Sequence, residues 1–407
     1  MPKHLLLFAA TTGYQIRVFA DAARRLGVGV TLATDRCHIL DDPWGDRAVP
    51  VKFDRIPDSL SMLWSNNLQV DGVAAVGDRP AVMAAAAAEM YGVPFHPASA
   101  TLACHDKHIA RSMFRTAGMR VPSFFRARFD ENPEAVAARA PYPSVLKPLG
   151  LSASRGVIRA NDRDEFVAAF RRIARMGETE LHVEAYIPGR EFAVEGLVTR
   201  GELQVLAIFD KPDPLEGPYF EETIYVTPSR EPEEVQRALI ETTAQAVRAL
   251  GLTHGPVHAE LRYNPEGAWI LEVHARPIGG LCARAVRLAG GIPLEEMILV
   301  HALGGDTSDA RLDSGASGVL MIPIPKGGIY HSVEGEERAR AVGGIEDVVI
   351  TAAEGQHLVP LPEGASYLGF IFARGEAPEA VEAALRRSHT QLTFRIATTL
   401  ETLSPSS

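Results

Sequence analysis

Apolar and polar residues alternate on both sides of a turn in residues 257–280, VHAELRYNPEGAWILEVHARPIGG. This alternation predicts two antiparallel strands, because successive side chains of a strand point to opposite faces. Proline and glycine in Asn264-Pro265-Glu266-Gly267 predict a three-residue loop, Pro265 to Gly267, which places Asn264 opposite Ala268. One face of the hairpin is apolar and is predicted to be core: Val257, Ala259, Leu261, Tyr263, Trp269, Leu271 and Val273.

The polar face of the same hairpin carries acidic and basic side chains. The predicted pairing places Glu260 opposite Glu272 and His258 opposite His274, with Arg276 just beyond. Two carboxylates directly opposite each other repel, so a positive charge must compensate them. Mg²⁺ is one candidate because it takes hard oxygen ligands. A solvated polar face on which neighbouring arginines balance the charge is the alternative.

The rest of the chain predicts two further kinds of layer. Strands and Ala-rich helices alternate over the first hundred residues, which predicts a small doubly wound α/β domain. Its ligand edge would lie at the strand ends, near Thr11–Gly13 and Gly77–Asp78, and no GxGxxG indicates a dinucleotide there. From Gly318 onward the pattern predicts a separate α+β unit. Residues 210–229 form a long irregular segment, which favours a functional loop.

Composition restricts the possible partners. The chain has 407 residues, of which 46% are hydrophobic, which suggests two or three domains. Its net charge of −10 and the lack of a basic run argue against nucleic-acid binding. No apolar run is long enough to cross a bilayer, and the N-terminus is typical of a first strand rather than a signal peptide. Three scattered cysteines fit a reducing compartment, so we expect a cytoplasmic protein with no membrane partner.

Charged motifs follow one another along the chain in a defined order, up to and including the hairpin. In chain order the motifs are Lys107 after an aspartate, Lys147 before a small-residue loop, Glu184-Ala185-Tyr186-Ile187, Gly189-Arg190-Glu191, Glu260, Glu272 and His274-Ala275-Arg276. This order resembles the ATP-grasp superfamily of carboxylate–amine ligases over residues 1–305. The C-terminal unit resembles the small terminal domain of the L-amino-acid ligase branch.

The resemblance implies an ATP-grasp fold of α/β and α+β type in three domains. The N-terminal doubly wound α/β domain would span residues 1–105. The ATP-grasp domain would span residues 106–305, with its smaller nucleotide lobe at residues 118–187. A small C-terminal α+β domain would span residues 306–407.

The resemblance also implies roles for individual residues. ATP would be bound at its phosphates, adenine and ribose by Lys107, Lys147, Ser152, Ser154, Gly156, Glu184, Ala185, Tyr186, Ile187 and Glu191. Mg²⁺ would be held by Glu260 and Glu272, and His274 stands where the family usually has asparagine. Mn²⁺ is also compatible with the site, because imidazole suits it better than it suits Mg²⁺. The two substrates would be bound by His258, Arg276, Gly279, Gly280, Tyr219 and Phe220, and Arg276 would also act in catalysis.

The implied activity is ATP-dependent amide or peptide bond formation through an acyl phosphate, from a small carboxylate and a small amine. Amino acids are the expected substrates, and a homodimer is left open. A purine-biosynthesis type of ligase or carboxylase is one alternative, although the N-terminal domain shows no basic cluster for a phosphoribose. A non-catalytic ATP-binding module and phosphotransfer to a hydroxyl are the others.

Overall fold

The computed structural model describes residues 2–10, 16–35 and 47–398. Its strands in chain order are β1 His4–Ala9, β2 Gly29–Thr34, β3 Ala48–Pro50, β4 Gly72–Val76, β5 Phe124–Arg128, β6 Ser144–Pro148, β7 Ile158–Ala160, β8 Glu180–Ala185, β9 Arg190–Thr199, β10 Glu202–Lys211, β11 Ile224–Thr227, β12 His254–Asn264, β13 Gly267–His274, β14 Arg287–Leu288, β15 Ile292–Pro293, β16 Ala316–Ile322, β17 Gly328–Glu334, β18 Ile345–Ile350, β19 His357–Leu358, β20 Gly369–Gly375 and β21 Thr393–Ala397.

Helices connect these strands. They are α1 Ile16–Leu26, α2 Ile56–Ser65, α3 Asp78–Tyr91, α4 Ala98–His105, α5 Lys107–Thr116, α6 Pro133–Ala137, α7 Arg163–Ala174, α8 Glu233–Leu250, α9 Leu294–Ala302, α10 Glu336–Arg340 and α11 Pro378–His389, with a 3₁₀ turn at Cys282–Ala285. Among the residues that the structure describes, no helix is both long and apolar enough to cross a membrane.

The chain divides into two compact units, each built from three segments. The first contains Met1–Val121, Gly189–Asp210 and Thr227–Ser314, and the second contains Pro122–Pro188, Lys211–Val226 and Gly315–Ser407. The hairpin analysed above therefore lies in the first unit, together with the N-terminal segment. The domain boundaries at residues 105 and 305 stay a prediction.

In its described residues the first unit contains two larger sheets and the short β14-β15 pair. A parallel sheet has the strand order β3-β2-β1-β4, and its core includes the buried alanines of α3, as predicted for a doubly wound domain. The second sheet has the order β13-β12-β9-β10 in this unit, and β12 pairs antiparallel with both β9 and β13. Helices α5 and α8 supply Phe114 and Leu239 to the core beside β9, β12 and β13. The predicted ligand edge at Thr11–Gly13 lies outside the described residues.

The second unit contains an antiparallel sheet with the order β5-β8-β6-β7, against which α7 packs Phe166, Phe170 and Ile173. The C-terminal part of this unit forms the sheet β11-β16-β20-β18 and the small sheet β19-β17-β21. Helix α11 covers the first of these with Val381 and Leu385. These strands and helices agree with the predicted α+β character of the C-terminal region.

The turn of the central hairpin differs from its prediction. Asn264 pairs with Gly267 rather than Ala268, so the loop has two residues, and a register shift follows between Glu260 and Leu261. The shift restores the predicted pairs His258–His274 and Glu260–Glu272. It also changes the apolar face, because Ile270 enters the core and the predicted Trp269 and Leu271 do not. A β-bulge reverses the alternation locally in this way.

Candidate functional site

Glu260 and Glu272 face each other across β12 and β13, with side chains 22% and 23% exposed. Cationic or protonatable groups lie around both carboxylates. Lys107 Nζ is 4.0 Å from Glu272 Oε1, and His274 Nε2 is 3.5 Å from Glu272 Oε2. His258 Nε2 is 3.4 Å from Glu260 Oε1. Lys107 is directed at the carboxylates rather than at solvent, because its side chain is only 13% exposed.

Asp78 is hydrogen-bonded to His274 and Arg276, the polar residues that follow Glu272. Its carboxylate accepts hydrogen bonds from His274 Nδ1 at 2.9 Å and from Arg276 Nε and Nη2 at 2.9 and 3.3 Å. Burial raises the pKa of Asp78, but Arg276 and His274 outweigh burial and hold that pKa well below its usual range. Burial and Arg276 lower the pKa of His274, yet Asp78 raises it to about 9. His274 and Arg276 are therefore both cations at neutral pH.

Glu195 of β9 holds the other histidine. It is 1% exposed, accepts a hydrogen bond from His258 Nδ1, and also accepts one from the backbone N–H of Ile278 at 3.2 Å. Burial lowers the pKa of His258 despite this carboxylate, so His258 is neutral at neutral pH. The His258 and His274 rings stack at 5.7 Å between their centroids.

Each histidine thus lies between two carboxylates. Its Nδ1 is hydrogen-bonded to Asp78 or Glu195, and its Nε2 lies within 3.5 Å of one glutamate of the central pair. Neither Asp78 nor Glu195 was assigned a role from the sequence. Asp78 does lie at the strand end that was predicted as a ligand edge. Glu195 interrupts the apolar strand FAVEGLV, and an isolated charge in such a strand is a signal that could have identified it.

The donor set of the hairpin fits a hard divalent ion. Glu260 and Glu272 offer carboxylate oxygens at one place, which are the ligands that Mg²⁺ prefers. A protonated imidazole cannot ligate a metal, so His274 fits better as a hydrogen-bond donor while it keeps its proton. Its assignment as a metal ligand, and with it the place of Mn²⁺, stays a prediction.

Glu191, predicted to bind ribose, opens β9 in the first unit. Its carboxylate accepts a hydrogen bond from Arg262 Nε at 3.0 Å, and both side chains are buried. Arg262 therefore compensates the buried charge of Glu191. Gly279 is exposed and Gly280 adopts φ +62°, while the neighbouring Cys282 is buried.

Lys147 and Glu184 lie together on adjacent strands of the second unit. Lys147 Nζ is 2.9 Å from Glu184 Oε1, and His182 Nε2 is 3.1 Å from Glu184 Oε2. Glu184 is 2% exposed, so this carboxylate is a buried partner of two basic groups. Lys147 is the last residue but one of β6, and the small-residue loop follows Pro148.

The segment predicted to run beside adenine has backbone donors that are already used. The N–H of Ala185 donates to Ser123 O at 2.9 Å, and that of Tyr186 donates to Pro143 O at 2.8 Å. These two N–H groups are therefore hydrogen-bonded within the protein, and the nucleotide-binding role of Ala185, Tyr186 and Ile187 stays a prediction. Ile187, the last residue of the segment, is buried.

The small-residue loop between β6 and β7 contains Ser152, Ser154 and Gly156. Ala153 and Ser154 have φ of +55° and +56°, and Gly156 has φ +67°. The N–H of Gly156 donates to Pro362 O at 2.8 Å. The backbone N–H of Gly156 is therefore already hydrogen-bonded within the protein.

Tyr219 and Phe220 are placed differently from each other within the long loop. Tyr219 packs against the core of the β5-β8-β6-β7 sheet, and Arg172 Nη1 donates to its hydroxyl at 2.6 Å. Phe220 stacks on Tyr186 with 6.5 Å between ring centroids. Tyr219 is therefore docked on the core, and the substrate-binding role of both aromatic residues stays a prediction.

Comparison with known proteins gives the same assignment as the motifs. Residues 140–285 match the ATP-grasp domain family, and residues 320–397 match L-amino acid ligase C-terminal domain 2. The chain therefore carries an ATP-grasp domain and an L-amino acid ligase C-terminal domain. The predicted ATP-grasp fold and the relationship to L-amino-acid ligases are thereby confirmed.

The similar proteins include two ligases and a further ATP-grasp enzyme. The crystal structure of an L-amino acid ligase from Bacillus licheniformis superposes with a TM-score of 0.83 at 26% identity, covering 97% of this chain and 99% of that one. An ATP-grasp enzyme of Aspergillus fumigatus is 26% identical, with 72% of this chain and 58% of the relative covered. A D-alanine–D-alanine ligase of Cupriavidus necator is 26% identical over 52% of this chain and 67% of the relative.

The matches to the first curated relatives span about 60% of the length of those proteins. Carbon–nitrogen bond formation by the whole protein is therefore a proposal, which the shared ATP-grasp domain supports.

Proposed function

We propose that this protein is an ATP- and Mg²⁺-dependent ligase that joins a small carboxylate to a small amine, with amino acids as substrates. The observation that carries the proposal is the pair Glu260–Glu272, flanked by Lys107 and followed by Arg276, in a chain of the ATP-grasp superfamily. The match of residues 320–397 to an L-amino acid ligase domain supports the substrate class.

The proposed reaction has two steps, formation of an acyl phosphate and its attack by an amine. A carboxylate oxygen of the first substrate attacks the γ-phosphorus of ATP, the bond to the β-phosphate breaks, and ADP and an acyl phosphate result. The amine nitrogen of the second substrate then attacks the acyl carbon, phosphate leaves, and the amine loses a proton. Activation is required because a free carboxylate is a poor acyl donor, and the protein contributes mainly positioning and charge neutralisation.

Residues of the first unit would supply the positive charge that neutralises the transferring phosphate. Arg276 is fixed by Asp78, so its guanidinium needs no reorganisation when negative charge develops on the transferring groups. Lys107 adds a compact ammonium that suits a phosphate. A divalent ion held by Glu260 and Glu272 would neutralise phosphate charge when bound.

The nucleotide residues of the second unit belong to the same proposal. Lys147 lies near the end of β6 and would act on the phosphates once ATP competes with Glu184 for its ammonium. Ser152, Ser154, Ala185 and Ile187 keep their proposed positions along the nucleotide. A cytoplasmic location also remains a proposal.

The test is product analysis with paired substrates. Purified protein is supplied with ATP, Mg²⁺ and every pair from a panel of amino acids, and ADP, phosphate and the coupled product are measured. We expect phosphate release only when a productive acid and amine are both present. Phosphate release that needs neither substrate, or transfer of phosphate to a hydroxyl, would contradict a ligase.

A further inference from the structure

The small-residue loop is bonded to a segment of the C-terminal region, within the second unit. The backbone N–H of Gly156 donates to Pro362 O at 2.8 Å, and Arg155 Nε donates to Glu363 O at 3.0 Å. These bonds join residues more than two hundred positions apart in the chain. They fix the loop at its last turn, before the chain enters β7.

An ion pair between Arg172 and Glu363 holds the same C-terminal segment. Arg172 of α7 donates to the Glu363 carboxylate through Nε at 2.6 Å and through Nη2 at 3.0 Å. Its third nitrogen, Nη1, donates to Tyr219 OH at 2.6 Å. A two-pronged guanidinium–carboxylate contact fixes orientation as well as distance, which a single contact does not.

The position of Gly156 leaves little freedom for this contact to move. Gly156 has φ +67°, and a Cβ there would lie 2.8 Å from Pro148 Cγ. Pro362 is buried, so the acceptor carbonyl belongs to a packed part of the C-terminal region. A buried acceptor on one side and a glycine turn on the other restrict the conformations that the loop can adopt.

We propose that Arg172 and Glu363 are positioning residues for the nucleotide loop, which they hold in the conformation that receives the ATP phosphates. Through this pair the C-terminal region sets how the β6–β7 loop presents Ser152 and Ser154. The role rests on the proposed function only in taking ATP as the ligand of the loop. Neither Arg172 nor Glu363 contacts the nucleotide in this proposal.

The test compares Glu363→Gln with the matched control Glu131→Gln. Glu131 also pairs with an arginine, Arg139, at 2.7 Å in the same unit, and its side chain is 36% exposed against 40% for Glu363. Hydrogen exchange of residues 150–157 is measured on the full-length protein without ATP. We expect Glu363→Gln to speed exchange at Gly156 while the melting temperature stays within about 2 °C of the wild type.

ATP binding supplies the second arm of this test. Glu363→Gln should raise the Kd for ATP about threefold to tenfold and leave the KM of the acid and amine unchanged. Glu131→Gln should change neither quantity. Unchanged exchange at Gly156, or faster exchange with unchanged ATP affinity, would overturn the positioning role. Wild-type protein that fails to bind ATP would instead contradict the proposed function, and the exchange result stands independently of it.

Discussion

Asp78 and His274 lie 196 positions apart in the chain, yet a carboxylate oxygen of Asp78 is 2.9 Å from Nδ1 of His274. The same carboxylate is bonded to Arg276. One acidic residue at the start of α3 therefore orients two cations of the hairpin. The catalytic role proposed for Arg276 depends on this orientation, which leads to the first prediction.

Asp78→Asn should keep the shape of the side chain and remove its charge. We expect kcat to fall about tenfold to hundredfold, the range found when the partner that orients a functional group is lost. The pKa of His274 should fall below its present value of about 9, because Asp78 raises it. Steady-state kinetics and NMR titration of the histidine measure the two effects.

Asp58→Asn is the matched control for this change. Asp58 also lies in the first turn of a helix and pairs with an arginine, but its side chain is 62% exposed. It should alter neither kcat nor the titration of His274. Wild-type kcat in Asp78→Asn would show that Arg276 needs no such support.

Glu272→Gln should abolish ATP turnover and leave the fold intact. Glu272 is proposed to hold the metal ion beside Glu260, and removing one charge stabiliser from a reacting site costs about 10²–10³-fold in rate. Phosphate release with both substrates present measures the loss, and circular dichroism checks the fold. Glu266→Gln, at an exposed position in the turn of the same hairpin, serves as the control. Near wild-type turnover in Glu272→Gln would show that the hairpin is not the metal site.

His274→Asn restores the residue that the family usually has. We expect the variant to remain active with Mg²⁺, because an amide oxygen is a harder ligand than imidazole. It also removes a cation from beside Glu272, which should raise the apparent affinity for Mg²⁺ in a titration of turnover. Loss of nearly all activity in a folded variant would assign the imidazole a role of its own.

The sequence predicted the polar face of the hairpin because period-two alternation and turn residues are local signals. It did not predict the bulge after Glu260, because packing of Ile270 into the core rather than local propensity determines that shift. Contacts such as Asp78–His274 depend on the tertiary fold, and no spacing in the chain encodes them. Glu184 shows the same limit: its motif was recognised, but its burial between Lys147 and His182 was not.

Tyr219 and Phe220 should respond differently to truncation. Tyr219→Ala removes core packing and the bond to Arg172, so we expect a loss of about 1–3 kcal/mol in the free energy of unfolding. Its activity should fall equally for every substrate pair. Phe220→Ala should instead shift substrate preference by about tenfold to two-hundredfold, the value of one apolar contact. Kinetics on the amino-acid panel, with melting curves of both variants, would contradict this assignment if the two effects were exchanged.

His301 provides a pH dependence that is separate from the proposed site. It is 3% exposed, its Nε2 is 2.8 Å from Thr199 Oγ1, and its ring stacks on His254 at 4.0 Å. Burial and the neighbouring His254 lower the pKa of His301 to about 4. Burial likewise lowers the pKa of His96, which hydrogen-bonds to Pro256 O, to about 3.

These lowered pKa values fix the sign of the effect. Between the unfolded value near 6.5 and the folded values, the unfolded chain binds more protons than the folded one, so stability falls as pH falls. The stability that these neutral histidines contribute is fully present above pH 6.5. The free energy of unfolding should decline by on the order of 1–3 kcal/mol per histidine by pH 4. In His301→Gln, whose amide can still bond to Thr199, the decline between pH 6.5 and 4.5 should be shallower than in the wild type. Urea unfolding across this range measures it, with His357→Gln at an exposed position as the control. A decline as steep as that of the wild type would show that His301 already binds its proton in the folded protein.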